Sequence, residues 1–362
     1  MNQKTPVRPH PSRHILPHVL ATALALALAL PLAACTTAGP TDTSGDSSAS
    51  NPAQPNGGSE GSEDENSQGT PSSSTPAPVT FTDALGTQVT VDNPQRVVAC
   101  MGSLAAIWEL SGGQLVGVTN DALLDYSLNS PAIDIGDFSS PNLESIIALE
   151  PDFVILTAAS TGRAGTASQT ELKEGLEASG ITAAYFEVTV FEDYLAMLDI
   201  CTQITGLRER YDAYGTNQQI VIDRIIEKAA PAAAAAPAPT VLLMATYSGG
   251  TRVQDSSTMT GAMLAELGAD NLASSNPSLL KDFSLEAIIE RDPQYIFVIP
   301  MGNDEQAALE NLNAATEANP AWAGLDAVKN NRYLTLDPSL FLYKPNDRWS
   351  EAYQVLYDAL YS

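Results

Sequence analysis

One phrase occurs twice in this chain, and it narrows the possible folds more than any other feature. Residues 142–156 read NLESIIALEPDFVIL and residues 284–298 read SLEAIIERDPQYIFV. Aligned, Leu143/Leu285, Glu144/Glu286, Ile146/Ile288, Ile147/Ile289 and Pro151/Pro293 coincide, while Phe153/Tyr295 and Val154/Ile296 are conservative pairs. Each copy opens on a residue that caps helices (Asn142, Ser284) and places a glutamate in the first turn. An apolar pair at helical spacing follows, then an acid before proline, then a short β-rich run. A unit of helix, tight turn and buried strand, repeated at this distance, implies two similar lobes.

The intervening segments carry the same alternation. Residues 79–91 (VTFTDALGTQVTV) alternate apolar and polar on both sides of a glycine-containing turn, the pattern of a small hairpin. Strands are expected at 96–101, 115–119, 153–157 and 183–188, with helices at 104–110, 143–149, 169–179 and 191–205. Residues 207–228 form one helical stretch whose apolar positions Leu207, Tyr211, Tyr214, Val221, Ile222 and Ile225 recur at steps of three, four or seven. The Ala/Pro tract 229–239 reads as a connector, because Pro231, Pro237 and Pro239 interrupt a helix. A second lobe follows, with strand 241–246, loop 247–252, helix 259–267, the repeat, helix 305–315, strand 332–336 and a C-terminal helix from about 347 to 360. The fold class expected is α/β, two Rossmann-like lobes joined by a single long helix.

Composition sets the surroundings. The first 35 residues hold Lys4, Arg8 and Arg13, an apolar run from 15 to 30, and then Leu32-Ala33-Ala34-Cys35. That run is short for a membrane span and suits an export signal. Its ending resembles the lipobox of bacterial lipoproteins, which implies Cys35 as a lipid anchor; an ordinary secretory signal is the alternative. Residues 36–78 are Ser, Thr, Gly, Pro, Asn and acid, a composition that cannot offset ordering entropy and reads as a flexible acidic tether. The expected organisation is therefore signal 1–35, tether 36–78, N-terminal lobe 79–205, bridging helix 206–230, connector 231–239 and C-terminal lobe 240–362.

Without the leader, 14 basic residues face 43 acidic ones, a net charge of −29 with histidine neutral. Nucleic acid and anionic lipid are poor partners for such a chain. His10, His14 and His18 all lie in the leader, so the mature chain lacks the imidazole needed for Ser-His-Asp or Cys-His catalysis, histidine-ligated haem and the usual zinc sites. No cofactor and no catalytic residue is expected. Cys100 and Cys201 are expected as free buried thiols, although spacing alone does not exclude a disulfide.

From residue 81 to the C-terminus the sequence resembles the helix-bridged substrate-binding proteins of ATP-driven importers, the group that captures iron-siderophores, haem and cobalamin. The resemblance rests on TDALGTQVTVDNPQRVV, both LE-x-II-x(3)-P phrases, GAMLAELGADNLA from Gly261 and WAGLDAVKNNRYLTLD from Trp322. It implies a shallow ligand cleft between the lobes and a non-enzymatic, monomeric capture protein that delivers a metal chelate to a membrane permease. It also implies that Glu144 and Glu286, one per lobe, meet arginines of that permease. An acid in a first helical turn also favours the helix dipole with no partner at all, so both readings of these glutamates stand. The manganese- and zinc-binding relatives of the same fold use imidazole ligands that the mature chain lacks. An extracellular sensor, or a metal-dependent enzyme on the same two-lobe scaffold, is the alternative function.

Ligands of open parallel sheets sit beyond the carboxyl ends of the strands. That rule selects Met101 to Ser103 and the loops 157–166, 247–252, 300–303 and 340–349. These loops hold Arg163, Arg252, Lys344 and Arg348, which implies an anionic ligand, together with Tyr247, Tyr343 and Trp349, which suit the flat faces of a chelate or macrocycle. Ser103, Arg163, Tyr247, Arg252, Tyr343, Arg348 and Trp349 are the expected ligand contacts. Trp108 and Trp322 are expected in the core.

Overall fold

The computed structural model describes residues 76–158, 166–235, 237–281, 283–302 and 304–362. The leader, Cys35, most of the tether and Arg163 lie outside the described residues. A hairpin of β1 (Val79–Thr82) and β2 (Gln88–Val91) opens the described chain. Asp83 shapes its turn by accepting from Leu85 N–H and Thr87 N–H at 3.0 and 2.8 Å. Phe81 stacks on Phe186 at 5.6 Å between centroids, which seats the hairpin on the first lobe.

The first lobe is a fully parallel sheet in the order β5-β4-β3-β6-β7. Its strands are β3 (Val97–Ala99), β4 (Leu115–Val118), β5 (Ile133–Asp134), β6 (Phe153–Thr157) and β7 (Thr182–Phe186). Its helices are α1 (Gly102–Leu110), α2 (Asn120–Asp125), α3 (Leu143–Ala148), α4 (Thr166–Ala178) and α5 (Phe191–Thr205). The second lobe builds its sheet from β8 (Thr240–Tyr247), β9 (Gly250–Gln254), β10 (Asp270–Asn271), β11 (Tyr295–Pro300) and β12 (Tyr333–Thr335), in the order β10-β8-β11-β12 with β9 antiparallel to β8. The segment 247–252, expected as a loop, is thus the turn of a hairpin and the start of its second strand. Thr251 and Arg252 face Thr246 and Ala245 in its ladder.

Strand periodicity explains how the lobes are joined. In β3 and β6 the alternate residues Val97, Ala99, Phe153 and Ile155 face one apolar cluster, and Val98, Val154 and Leu156 face another with Cys100. In β8 and β11, Val241, Leu243, Phe297 and Ile299 face the first of these clusters, and Leu242, Met244, Ile296 and Val298 a third. One core therefore runs from the inner face of one sheet to the inner face of the other. Ile222, Ile225 and Ala229 of the bridging helix lie within it.

That bridging helix comprises α6 (Glu209–Tyr211), a π turn at Asp212–Thr216 and α7 (Asn217–Ala235). It extends past the expected end at 228–230 and carries Pro231 inside it. Proline removes one intrahelical bond, but Pro231 sits on the exposed side near the helix end, amid alanines that have the highest helix propensity. The helix stops before Pro237, so the connector is shorter than the composition implied.

The second lobe also contains α8 (Met259–Glu266), α9 (Leu272–Ser275), α10 (Leu285–Arg291), α11 (Glu305–Glu317), α12 (Asp326–Lys329), α13 (Pro338–Phe341) and α14 (Trp349–Tyr361). Cys100 and Cys201 are free and fully buried, and burial pushes both thiols well above their ordinary range. Trp108 and Trp322 are buried, as expected. No helix among the described residues is long and apolar enough to cross a membrane.

Candidate ligand site at the lobe junction

The carboxyl edge of the first sheet is assembled by close backbone contacts. Gly102 starts α1, and a Cβ there would lie 2.8 Å from Tyr126 Cδ2 and 2.9 Å from Ala122 Cα, so only glycine lets α1 and α2 approach this closely. Asp121 Oδ2 accepts from Gly102 N–H at 2.7 Å. Behind this edge the buried amide of Gln169 donates to Cys100 O and Phe138 O at 2.8 and 2.7 Å and accepts from Thr157 N–H at 2.8 Å, tying three strand-end segments together.

Here the second lobe touches the first. Asn346, held in the left-handed region at φ +51°, donates from Nδ2 to Ser103 O at 3.2 Å. The Tyr126 phenol lies within reach of the Lys344 backbone and the Ser103 hydroxyl. Burial, then the charge of Asp121, pushes that phenol above its ordinary range. The Lys344 ammonium is half-buried, and desolvation lowers its pKa to about 8 against the opposing pull of Asp193 and Glu187. Trp349 is fully buried against Phe191 and Tyr194 of α5, at centroid distances of 5.7 and 6.2 Å.

Among the described residues, the buried atoms Thr119 Oγ1, Asp121 Oδ1, Asn346 Oδ1 and Trp349 Nε1 have no hydrogen-bond partner, and Ser103 Oγ has none of good geometry although the Tyr126 phenol is near. All five belong to the start of α1, the first turn of α2 with the residue before it, or the stretch from Asn346 to the start of α14. Buried polar atoms are nearly always paired, so these orphans set the contact between the lobes apart from the rest of the interior. Cavities of about 290 and 300 Å³ lie elsewhere, one beside Trp322 and Tyr333 and one between α7 and Gly268. Glu317 and Glu266 are the only charged residues lining them.

The expected contact residues do not all converge. Ser103 and Trp349 reach the junction, but Trp349 fills the joint between the lobes and does not cover an open face. Arg348 is exposed and makes a two-point pair with Glu351 at 2.8 and 2.9 Å. Arg252 is exposed on β9 and lies over the Tyr247 ring at 5.4 Å. Tyr343 is half-buried next to Lys344. Tyr126, Asp121, Lys344 and Asn346 are the additions. A glycine followed 19 residues later by an acid carries no local signal of their pairing.

The repeated phrase places its two glutamates alike. Asn142 Oδ1 accepts from Ser145 N–H at 2.8 Å, and Ser284 Oγ accepts from Ala287 N–H at 3.2 Å. Glu144 and Glu286 are both exposed in the first turns of α3 and α10, and neither is in an ion pair among the described residues. Both units end on an acid with φ +46°, Glu150 and Asp292, directly before proline.

A family model described as periplasmic binding protein matches residues 98–340, spanning both lobes and the bridging helix. The chain belongs to the periplasmic binding protein family. This is a family of solute-binding components of ABC transporters, which take up small-molecule ligands, engage a permease and are not enzymes. A curated relative from Bacillus subtilis, the uncharacterized ABC transporter substrate-binding lipoprotein YvrC, is 25% identical over 291 residues, covering 78% of this chain and 86% of that protein. A periplasmic heme binding protein from Pseudomonas aeruginosa is 26% identical with a TM-score of 0.59, covering 74% of this chain and 93% of that one. Staphylococcus aureus SirA, solved with staphyloferrin B, shares the fold at 20% identity and a TM-score of 0.57, covering 78% of this chain and 98% of that one. Membership in this family accounts for the two-lobe α/β architecture.

Proposed function

We propose that this protein captures an iron chelate, or a related haem or corrinoid, outside the cytoplasm and hands it to an ABC permease. The observation that carries the ligand site is the gathering of unpartnered buried polar atoms where the lobes meet. Ser103, Tyr126, Lys344, Asn346 and the Trp349 indole nitrogen form its floor, with Tyr343 and Tyr247 as aromatic groups of the second lobe and Arg163 and Arg252 as further contacts. The S. aureus protein, solved with staphyloferrin B, and the P. aeruginosa heme binding protein support a metal chelate as cargo.

In this reading Glu144 and Glu286 engage arginines of the permease, one charge on each lobe fixing the docking register. Cys35 carries the lipid that holds the protein at the membrane surface, and residues 36–78 form the tether, with a root-mean-square span of roughly 35 Å. The protein acts as a monomer. A single core shared by both lobes and the bridging helix favours a modest closure on ligand.

The test is calorimetric titration of the intact mature protein with ferric siderophores, haemin and cyanocobalamin. Tight binding of at least one, with quenching of tryptophan fluorescence, is expected. Absence of binding to every one of them would overturn the reading.

A further inference from the structure

We propose that the tether leaves the fold at the pole opposite the edge that meets ligand and permease. Its length, not its sequence, then decides whether the anchored protein can turn that edge to the membrane. This rests on the capture and anchoring roles proposed above. The described chain enters the fold at Pro76, and the contact there is close: a Cβ on Gly206 would lie 2.8 Å from Pro76 Cγ. Gly206 ends α5 in the left-handed region at φ +73°, which lets Pro76 pack directly on backbone. Val79 then opens β1, paired with Val91.

Hydrogen bonds assign each pole. Thr205 Oγ1, in the last turn of α5, donates to Ser111 O at 2.7 Å, and Arg210 Nη1 donates to Leu110 O at 3.1 Å. Leu110 ends α1 and the chain then enters β4, so the end of α5 and Pro76 lie at the amino edge of the parallel sheet. Arg96, directly before β3, donates from Nη2 to Leu149 O at 2.6 Å, so α3 ends at this edge too. The start of α3 marks the opposite, carboxyl edge: Asn142 N–H donates to Ile135 O, just past β5, at 2.9 Å, which places Glu144 there. Ser103 follows β3 at that edge and receives Asn346 of the second lobe. From one edge to the other α5 runs 15 residues, roughly 22 Å.

An anchor joined to the amino edge points the carboxyl edge away from the membrane unless the tether doubles back past the lobe. Residues 36–75 lie outside the described residues; as a tether their root-mean-square span is roughly 35 Å, enough to pass the lobe. About ten residues would span only roughly 17 Å. The segment holds six acids, no base and no Val, Leu, Ile, Met or aromatic residue. Such a composition offers acidic lobes nothing to hold it by, so reach is what it supplies.

The experiment reads orientation on phosphatidylcholine/phosphatidylglycerol vesicles that carry a rhodamine lipid. The lipidated mature protein bears a donor dye at Asp92→Cys, beside the tether exit, or at Ser140→Cys, beside the start of α3; both positions are exposed, whereas Cys100 and Cys201 are buried away from the dye. With the full tether, energy transfer to the lipid should agree within about twofold at the two positions. Deletion of residues 41–70 should make transfer from position 92 at least about threefold stronger than from position 140. Equal transfer after the deletion would overturn the inference. In cells that carry the permease, the deletion should lower uptake of ferrichrome, haemin or cyanocobalamin at least about tenfold with binding affinity unchanged. A Gly/Ser segment of the same length in place of 41–70 should preserve uptake. Uptake that survives the deletion, or is lost with the Gly/Ser segment, would also overturn the inference. If the parent protein takes up none of the three, the capture function falls, and the vesicle measurement still decides which pole the tether leaves.

Discussion

Trp349 and Tyr194 meet ring to ring across the boundary between the lobes, 6.2 Å apart at their centroids, and the Tyr194 hydroxyl donates to Tyr214 O at 2.9 Å. Tyr214 lies in the π turn of the bridging helix, where the altered register leaves a carbonyl in need of a donor. Gln218, on the following turn, donates to Asp347 O at 2.6 Å and accepts from Ser350 N–H at 2.9 Å, fixing the entry into α14. Three elements thus share one joint. Trp349→Ala should cost about 3–5 kcal/mol by leaving a large buried void, and Tyr194→Phe about 1 kcal/mol by orphaning one carbonyl. Denaturant melts read both, and a single transition is expected because the lobes share a core.

Gln169 should prove as important as any core residue. Its amide satisfies three backbone groups at the strand ends, and Gln169→Ala strands them in the interior. A loss of about 2–4 kcal/mol is expected in chemical denaturation. Gln169→Glu should be at least as damaging, because a carboxylate oxygen would then face the carbonyls of Cys100 and Phe138.

Removing both Glu144 and Glu286 should separate docking from binding. The double alanine variant should retain its ligand affinity and lose ligand uptake in cells that carry the permease. Its stability should change by only about 0.3–1 kcal/mol per site, the scale of a helix-dipole contribution. Unchanged uptake would return both residues to a role in helix starts alone.

Lys344 should give the protein a measurable pH dependence. Its folded-state pKa is lowered to about 8 by burial, with Asp193 and Glu187 opposing. Below that pH both folded and unfolded states carry the proton, and the folded state bears the full desolvation penalty. Above it the folded state releases the proton before the unfolded chain does, at an ordinary lysine value of about 10.4, so this group's contribution to stability rises across that window. Lys344→Met should therefore be more stable than the parent at pH 7, with the difference closing between about pH 8 and 10.5. Paired denaturation curves at several pH values check this, since buried tyrosines affect both proteins equally.

Much of the scaffold was legible from local pattern. The repeated phrase predicted two equivalent helix starts, and Asn142 and Ser284 do cap them. Alternation predicted the hairpin and the buried strands, because a period of two is written residue by residue. The helix runs past its expected end because the alanines around Pro231 and the burial of Ala229 let it continue. The loop at 247–252 was misplaced because strand pairing with β8 decides its conformation.

The candidate site was mostly not legible, and the reason is physical. Ser103 and Asn346 are 243 positions apart, and their contact exists only because Gln218 and the Trp349 joint carry the segment before α14 onto the first lobe. Strand-end logic points to this edge of the sheets and to its arginines by position, whereas the structure pairs Arg348 with Glu351. The sequence by itself determined the two lobes, the helix between them and the matched glutamates, since each follows from periodicity and capping within a few residues. Tertiary structure alone decided which polar groups meet at the junction and which charge they present, because those contacts arise from the packing of one lobe on the other.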